Sequence, residues 1–370
     1  MDVGKIKVLH VIGIMNYGGA ETMIMNLYRK IDRNRFQFDF LIHRDHEGDY
    51  DNEIKELGGN IYRLPEYKIF NYFSYKKACK DFFKNHSEYD IVHGHIESCA
   101  AIYLTEAKKQ GIYTVAHCHS TGFQSFLPKI LYNSLTYKTR FIADYFFACS
   151  KLAGQNRYGN KIVESDKFKV FNNGIDAKDY IYSETRQNRL KKRWGVEEKF
   201  VIGHVGRMAK EKNQIFLLYT LKEVLKRKND SVLILVGDGA EKKRLKEIAY
   251  ELKIEDKVIF TGNRSDVPNM MNLFDVFVFP SIYEGLGIAL IEAQAAGLPC
   301  VIADTIVDEA ILARDIEVLS LNDSYQTWSN KIIEASTHKR NINYELVCKA
   351  GFDIATTTDE LQKFYLKHAN

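Results

Sequence analysis

The sequence predicts an α/β protein with two domains, each built on a doubly wound parallel β-sheet. Its 370 residues exceed the usual size of a single hydrophobic core, and a hydrophobic content of 45% is sufficient for two. Apolar runs of strand length alternate with longer amphipathic stretches along the chain, which is typical of βαβ units. Because ligands bind at the carboxyl ends of parallel strands, we expect the two domains to face one another across a cleft.

Apolar runs predict the strands of the two sheets. In the first half these are residues 7–13, 36–42, 60–64, 90–95, 113–118, 145–150 and 168–171, and in the second half 200–206, 231–237, 257–261, 276–280 and 299–303. Helical patterns such as 214–227 lie between them. Turn residues at 173–176 come just before a strongly charged stretch. We therefore predict an N-terminal domain of residues 1–176 and a C-terminal domain of residues 177–354.

Composition excludes several classes of partner and location. The net charge of +4 is too small to indicate a nucleic-acid-binding protein, and the sequence contains no Lys/Arg run or stacked-aromatic motif of a known nucleic-acid-binding module. The six cysteines form no Cys-x-x-Cys pair, which argues against a zinc site or a disulfide framework and favours a reducing cytoplasm. The N-terminal segment does not have the pattern of a secretory signal, and no run of eighteen apolar residues occurs. We expect a cytoplasmic protein that is soluble or peripheral to the membrane.

The segment 284–297 carries the clearest functional signal. Gly285 and Gly287 let the backbone approach a ligand where Ile288 begins a predicted helix, and the exposed amides of a helix N-terminus attract phosphate. Glu292 is the only charge between 285 and 301, so its carboxylate needs a partner, which we expect to be a ligand. With Glu284 on the loop, two carboxylates beside an anion site suit a sugar nucleotide. The expected binding residues here are Glu284, Gly285, Leu286, Gly287, Ile288 and Glu292. The alternative is a capped core helix with two incidental acids.

A basic loop follows the strand at 200–206. Gly206, Arg207 and Lys212 lie between this strand and the helix that begins near Asn213. A diphosphate requires cations at such a strand-to-helix loop. A solvated basic loop without function is the alternative.

A glycine pair opens the first helix of the N-terminal domain. Gly18, Gly19 and Glu21 follow the first strand, and we interpret them as a loop that faces the donor or the acceptor of a reaction. The pair could instead serve only as a helix cap. Because the segment is neither Gly-x-Gly-x-x-Gly nor a P-loop, a dinucleotide or ATP site is not supported.

Four histidines end two neighbouring predicted strands: His93, His95, His117 and His119. Such a cluster can bind a metal ion, but the only carboxylate nearby in sequence is Glu97. We favour a hydrogen bond from one or two imidazoles, His117 foremost, to a sugar, and expect no metal.

Residues 123–161 combine many aromatic residues with six cations against one acid, Asp144. The cations are Lys129, Lys138, Arg140, Lys151, Arg157 and Lys161, and the aromatics are Phe123, Phe126, Tyr132, Tyr137, Phe141, Tyr145, Phe146, Phe147 and Tyr158. This pattern indicates a surface that docks on anionic lipid. Part of it must be core, since 145–149 is also predicted as a strand.

Together these motifs resemble the retaining glycosyltransferases of family 4, which have the GT-B fold of two Rossmann-like domains. The likeness covers essentially the whole chain and rests on Gly18-Gly19-Ala20-Glu21, Asp90-Ile91-Val92-His93, the strand end at His117, Asn173-Gly174-Ile175-Asp176, Gly206-Arg207 with Lys212, and the pair Glu284 and Glu292. Residues 298–306 resemble the enzymes that build bacterial exopolysaccharide or capsule.

The resemblance implies a role for each of these residues. Arg207 and Lys212 would neutralise the donor diphosphate, with help from the amides around Gly287 and Ile288. Glu292 would bind the ribose, and Glu284 would contact the donor sugar. It also implies a UDP-sugar donor, a lipid-linked saccharide acceptor, no requirement for metal or cofactor, and a last helix (about 355–370) that returns to the N-terminal domain.

Two other functions fit the same architecture. A sugar-nucleotide epimerase would change the donor without an acceptor. A non-catalytic partner of another glycosyltransferase would have no need for the combined set of Arg207, Lys212, Glu284 and Glu292.

Overall fold

The computed structural model describes residues 4–119, 136–314, 316–335, 337–340 and 343–369. It divides into two compact units, Met1–Gly174 with Ile354–Asn370, and Ile175–Asp353. The N-terminal segment of the first unit ends at Gly174, two residues before the predicted boundary at 176. The second unit ends at Asp353, one residue before the predicted boundary at 354.

The first unit contains a seven-stranded parallel sheet in the order β3-β2-β1-β4-β5-β6-β7. Its strands are β1 Ile6–Ile12, β2 Phe36–Ile42, β3 Ile61–Arg63, β4 Ile91–Gly94, β5 Tyr113–Cys118, β6 Tyr145–Ala148 and β7 Phe168–Val170. Since every side chain of β4 is buried, as are all of β5 after Tyr113, these strands form the centre of the sheet.

The second unit contains a six-stranded parallel sheet in the order β10-β9-β8-β11-β12-β13. Its strands are β8 Phe200–Val205, β9 Ser231–Val236, β10 Val258–Gly262, β11 Val276–Phe279, β12 Cys300–Ala303 and β13 Ile316–Leu319. The strand β13 was not predicted, because it is a short, half-exposed edge strand with a charged residue, Glu317, in its middle. The two sheets confirm the doubly wound α/β fold.

Helices connect the strands. Among the described residues they are α1 Gly19–Lys30, α2 Asp51–Glu56, α3 Tyr72–Asn85, α4 Ala100–Lys108, α5 Lys151–Tyr158, α6 Asn160–Val163, α7 Glu184–Trp194, α8 Gln214–Leu225, α9 Lys242–Glu251, α10 Val267–Leu273, α11 Ile288–Ala295, α12 Tyr325–Ala335, α13 Tyr344–Lys349 and α14 Ile354–His368. Each of these helices is too short or too polar to traverse a bilayer.

The last helix belongs to the core of the first unit. It packs against α1, and it buries Ile354, Leu361 and Tyr365 in the same hydrophobic cluster as Phe36 and Phe38. The chain therefore returns to the first unit after the second is complete.

The strand orders identify one ligand-binding edge in each unit. In the first sheet the order reverses between β1 and β4, and in the second between β8 and β11. Loops that leave the carboxyl ends of the strands at such a reversal diverge and form a crevice. The loops after β8 and β11 contain the predicted donor residues, and those after β1 and β4 contain Gly18, Gly19 and His95.

Candidate functional site

An ion pair joins the loops that follow β8 and β11. The ammonium nitrogen of Lys212 lies 2.6 and 2.7 Å from the two carboxylate oxygens of Glu284, and both side chains are largely buried. The backbone amide of Ile282 also donates to the carbonyl of Glu211 at 2.8 Å. The structure therefore brings the basic loop and the glycine-rich loop side by side, as the sequence predicts.

The two predicted phosphate-binding cations are paired with carboxylates in the unliganded chain. Arg207, whose side chain is 72% exposed, donates to Glu211 at 2.6 Å. An exposed pair of this kind is weak and exchanges readily with solvent or ligand. Lys212 is held more firmly, because it is enclosed and bonds both oxygens of Glu284. An incoming diphosphate must share or displace these carboxylates.

Glycine is required where α11 begins. Gly287 is the N-cap and has φ 90°, a left-handed conformation that strains other residues. A Cβ atom at this position would also lie 3.1 Å from the ring of Phe279. Leu286 is buried and anchors the loop, so that α11 starts at Ile288 with its first amides at the carboxyl edge of the sheet. This geometry is suited to an anion.

Glu292 has a protein partner that sequence analysis missed. The hydroxyl of Tyr180 donates to Glu292 Oε1 at 2.7 Å, so the expectation that a ligand would be the first partner of this carboxylate was wrong. Burial raises the pKa of Glu292 to about 7, and the Tyr180 hydrogen bond opposes this shift. Tyr180 lies 112 residues earlier in the chain, and no local pattern links the two.

Two further glycines support the basic loop. Gly237 and Gly239 have φ angles of 130° and 156°, and a Cβ atom at either would come within 2.4 Å of a backbone oxygen of Gly206 or Met208. Only glycine lets the loop after β9 approach so closely. In the sequence, the two glycines within the stretch 236–239, Val-Gly-Asp-Gly, are the signal that could have predicted this close approach.

A separate cleft lies at the strand reversal of the first unit. It has a volume of about 290 Å³ and is lined by residues that include Gly13, Glu21, His95 and His119. At the start of α1 the Glu21 carboxylate folds back over Gly18, where a Cβ atom would lie 2.3 Å from Glu21 Oε2. Gly18 is thus required for this contact. Among the described residues, no atom lies within 4 Å of a Cβ atom placed at Gly19, so none of them requires glycine there.

The four predicted histidines lie together, and a fifth, His10, joins them from β1. Hydrogen bonds link His10 to His95 (3.0 Å), His95 to His119 (2.8 Å) and His93 to His117 (3.2 Å). Burial lowers the pKa of every member, to about 3 for His10 and about 4 for His119. These imidazoles are therefore neutral at pH 7, and each can act as a donor at one nitrogen and an acceptor at the other.

His117 is connected to the last helix. Its Nδ1 lies 3.2 Å from His93 Nε2, and His93 Nδ1 lies 2.6 Å from the hydroxyl of Tyr365. His117 Nε2 is buried and has no hydrogen-bond partner among the described residues. The tautomer of His117 therefore depends on the proton that Tyr365 and His93 share.

The histidines also leave the metal alternative open. Two overlapping sets, His10 with His93 and His95, and His95 with His117 and His119, each hold three imidazole nitrogens within 4.8 Å of one another.

The predicted lipid surface at 123–161 is only partly a surface. Phe123, Phe126, Lys129 and Tyr132 lie outside the described residues. Arg157 is 4% exposed and pairs with Glu97 at 2.6 Å, so it cannot meet lipid. Phe146, Phe147 and Tyr158 are core residues, as the strand pattern of this stretch suggested. Tyr137 and Phe141 are exposed.

Two protein families match successive parts of the chain. Residues 17–179 match Glycosyltransferase Family 4, and residues 186–342 match Glycosyl transferases group 1. Together they span both units.

Curated relatives and a solved structure agree with these families. EpsF of Bacillus subtilis (strain 168), assigned as a glycosyltransferase, is 32% identical over 99% of this chain and 97% of its own length. The Escherichia coli enzyme UDP-Gal:alpha-D-GlcNAc-diphosphoundecaprenol alpha-1,3-galactosyltransferase is 26% identical over 75% of this chain and 76% of its own. CapH of Staphylococcus aureus, a capsular polysaccharide biosynthesis glycosyltransferase, is 25% identical over 98% and 99%.

The crystal structure of Anabaena HepE in complex with UDP and glucose superposes with a TM-score of 0.81, at 19% identity, over 98% of this chain and all of that one. The chain belongs to the group 1 and family 4 glycosyltransferases and has their GT-B fold.

Proposed function

We propose that the protein transfers a sugar, with retention of anomeric configuration and without a metal ion, from a UDP-sugar to a lipid-linked saccharide in exopolysaccharide or capsule biosynthesis. It would act in the cytoplasm, at the inner face of the cell membrane. The observation that carries the proposal is the Lys212–Glu284 pair beside the amino end of α11 at the strand reversal of the second sheet. Cations and helix amides at this position suit a diphosphate.

The comparisons support the choice of donor and acceptor. The Escherichia coli relative is named for UDP-galactose and for an acceptor on diphosphoundecaprenol, and the HepE structure contains UDP and glucose. CapH is named for capsular polysaccharide.

Each site residue has a proposed role. Arg207 and Lys212 bind the diphosphate, together with the backbone amides around Gly285, Leu286, Gly287 and Ile288. Gly206 has no side chain and so leaves space for the basic loop. Glu292 accepts hydrogen bonds from the ribose, and Glu284 positions the donor sugar. His117 donates to a sugar hydroxyl, and the Gly18-Gly19 loop borders the acceptor.

The proposed mechanism follows from where charge develops. As the glycosidic bond breaks, negative charge grows on the diphosphate, where fixed donors stabilise it most. The leaving phosphate oxygen then accepts the proton of the attacking hydroxyl, which arrives on the same face of the sugar. Glu284 is not the nucleophile in this scheme, because both of its oxygens are bonded to Lys212, which lowers their reactivity.

The proposal assigns no metal to the diphosphate. The triplet Asp49-Tyr50-Asp51 has the Asp-x-Asp spacing of a metal-binding motif. However, Asp51 accepts a hydrogen bond from Arg63 at 2.7 Å, and Asp49 accepts one from the amide of Tyr17 at 3.1 Å. Both carboxylates thus have structural roles in the first unit.

The test is a screen of nucleotide sugars for slow hydrolysis, followed by incubation of the best donor with membrane lipid extract. The proposal expects a labelled lipid product whose new linkage has the anomeric configuration of the donor. Conversion of the donor to an epimer without acceptor would instead establish an epimerase. Donor binding with no transfer to any lipid fraction would indicate a non-catalytic partner.

A further inference from the structure

Large apolar side chains project into solvent just before and within the first turn of α3. Phe70 is 87% and Phe73 85% exposed, and Ile69 and Tyr72 beside them are also exposed. Single exposed apolar residues are common, but a contiguous group of this kind marks an interaction surface. We call residues 68–84, with these four side chains at one end, the α3 surface.

The backbone under these side chains is held in place. The amide of Lys68 donates to Asn71 Oδ1 at 2.7 Å, and Asn71 Nδ2 donates to the carbonyl of Glu66 at 2.8 Å. One turn into α3, the buried hydroxyl of Tyr75 lies 2.7 Å from His43 Nε2 and 3.3 Å from Cys99 Sγ. Phe70 and Phe73 are therefore presented to solvent by an anchored segment.

The charge of the α3 surface is predominantly positive. Its exposed cations are Lys68, Lys76, Lys77, Lys80 and Lys84. The acids between 66 and 84 are Asp81 and Glu66, and Glu66 pairs with Arg44 at 2.6 Å. The opposite face of α3 buries Tyr75, Cys79 and Phe83 in the protein. Aromatic side chains that protrude beside a row of lysines complement an anionic lipid headgroup layer with an apolar interior.

We propose that the α3 surface docks the protein on an anionic lipid bilayer, with Phe70 and Phe73 inserted among the acyl chains and the lysines on the headgroups. This surface differs from the 123–161 region that the sequence suggested. Its position is also informative. The 69–73 segment follows β3, and Tyr75 contacts residues that follow β2 and β4, so the surface lies at the carboxyl edge of the first sheet.

The cleft lined by His95 and His119 opens at that same edge. Docking would therefore bring the acceptor side of the first unit to the membrane, where a lipid-linked saccharide resides. This last step rests on the proposed function, whereas the docking itself does not.

The experiment is co-sedimentation of the full chain with vesicles of phosphatidylcholine plus phosphatidylglycerol, and with vesicles of phosphatidylcholine alone. The wild type should bind the anionic vesicles. The double variant Phe70→Ser/Phe73→Ser should bind them at least about tenfold less, because both anchors are lost. The triple variant Lys76→Gln/Lys77→Gln/Lys80→Gln should lose the preference for phosphatidylglycerol and the sensitivity to salt.

Tyr250→Ser is the matched control, since Tyr250 is an aromatic residue of the second unit with 72% exposure, and its variant should bind as the wild type does. All substituted side chains are exposed, so unchanged melting temperatures will show that folding is intact.

Several results would overturn the proposal: no binding of the wild type to anionic vesicles, full binding of the double variant, loss of binding on Phe141→Ser with no loss on Phe70→Ser/Phe73→Ser, or an α3 surface that mediates only self-association. The assay needs no donor and no turnover. A failed transferase assignment would leave its result unchanged, and failed docking would leave donor hydrolysis in detergent-free buffer unchanged.

Discussion

Lys212 and Glu284, which are 72 residues apart in sequence, form a two-bond ion pair at 2.6 and 2.7 Å that joins the loops after β8 and β11. The pair contributes to the stability of the fold and, in the proposed mechanism, to catalysis. Substitutions can separate these two contributions. Lys212→Met leaves the Glu284 carboxylate without its ammonium partner in a largely buried position, which should lower the free energy of unfolding by about 1–3 kcal/mol.

The double variant Lys212→Met/Glu284→Gln should recover most of that stability, because both charges are gone. Its turnover should stay about 10²–10³-fold below the wild type, as in the single variant, since the diphosphate still lacks its cation. Urea unfolding and initial transfer rates measure the two effects. Recovery of turnover together with stability would show that Lys212 acts only through folding.

Arg207 offers a cleaner test of diphosphate binding. Its side chain is 72% exposed and its pair with Glu211 is weak, so Arg207→Ala should leave the melting temperature unchanged. Turnover should fall by about 10²-fold, because a donor to the developing charge is lost. Lys210→Ala is the control, as Lys210 is an exposed cation of the same loop, and this variant should behave as the wild type does. Equal activity in both variants would remove Arg207 from the site.

Sequence analysis predicted the two sheets and the loops that hold the candidate site, because those signals are local. Strand runs and glycines beside a helix start can be identified within ten or twenty residues of chain. The pairing of Lys212 with Glu284 and of Tyr180 with Glu292 could not be predicted, since each contact depends on how distant segments pack.

Exposure was equally difficult to predict from the pattern. The aromatics of 145–158 and those of 70–73 look alike in sequence, yet Phe147 is in the core and Phe73 is in solvent. Which side of an amphipathic segment faces the sheet is decided by its neighbours.

Glu292 predicts a pH dependence of stability. Its pKa in the folded chain is raised from 4.5 to about 7 by burial, so folding favours the protonated form. The group therefore contributes stability that is complete below pH 4.5 and is lost as pH rises through 7. Glu292→Gln should remove this component. Urea unfolding of both proteins at several pH values from 4.5 to 8 measures it, and parallel curves would contradict the shifted pKa.

Glu292 also predicts a pH dependence of UDP binding. An ionised carboxylate accepts stronger hydrogen bonds from the ribose hydroxyls than a protonated one does. Raising the pH from 6 to 8 should therefore lower the Kd of the wild type by up to about tenfold. Glu292→Gln should bind more weakly and lack this component. Titration of the diphosphate itself is common to both proteins and cancels in the ratio of their Kd values. Calorimetry at the two pH values gives that ratio, and a constant ratio would argue against the ribose role.

Chelation tests the absence of a metal requirement. If Arg207, Lys212 and the helix amides supply the charge stabilisation, prolonged dialysis against EDTA should leave the transfer rate unchanged. The histidine cluster supplies the contrasting outcome. The transfer rate could instead fall on chelation, recover when Zn²⁺ is added, and be lost in His119→Ala. That result would show that His95, His117 and His119 hold a metal ion.

The last prediction concerns the hydrogen-bonded series from Tyr365 through His93 to His117. A buried phenol needs an acceptor, and among the described residues the Tyr365 hydroxyl has His93 Nδ1 at 2.6 Å. His93 then carries its proton on Nε2 and donates to His117 Nδ1, which leaves the His117 proton on Nε2. Because burial holds the pKa of both histidines well below 6.5, this tautomer persists at pH 7.

Tyr365→Phe should release the constraint, so that ¹⁵N NMR of labelled histidines shows His117 changing from one tautomer to a mixture. Transfer should fall by up to about tenfold, because the hydrogen bond from His117 to the sugar is weakened, and by more in His117→Ala. Tyr250→Phe, which removes an exposed hydroxyl, should change neither quantity. A His117 tautomer that is unchanged in Tyr365→Phe would mean that the last helix stabilises the first unit only by packing, since Tyr365 would then contribute its buried ring and nothing to the orientation of the imidazole proton.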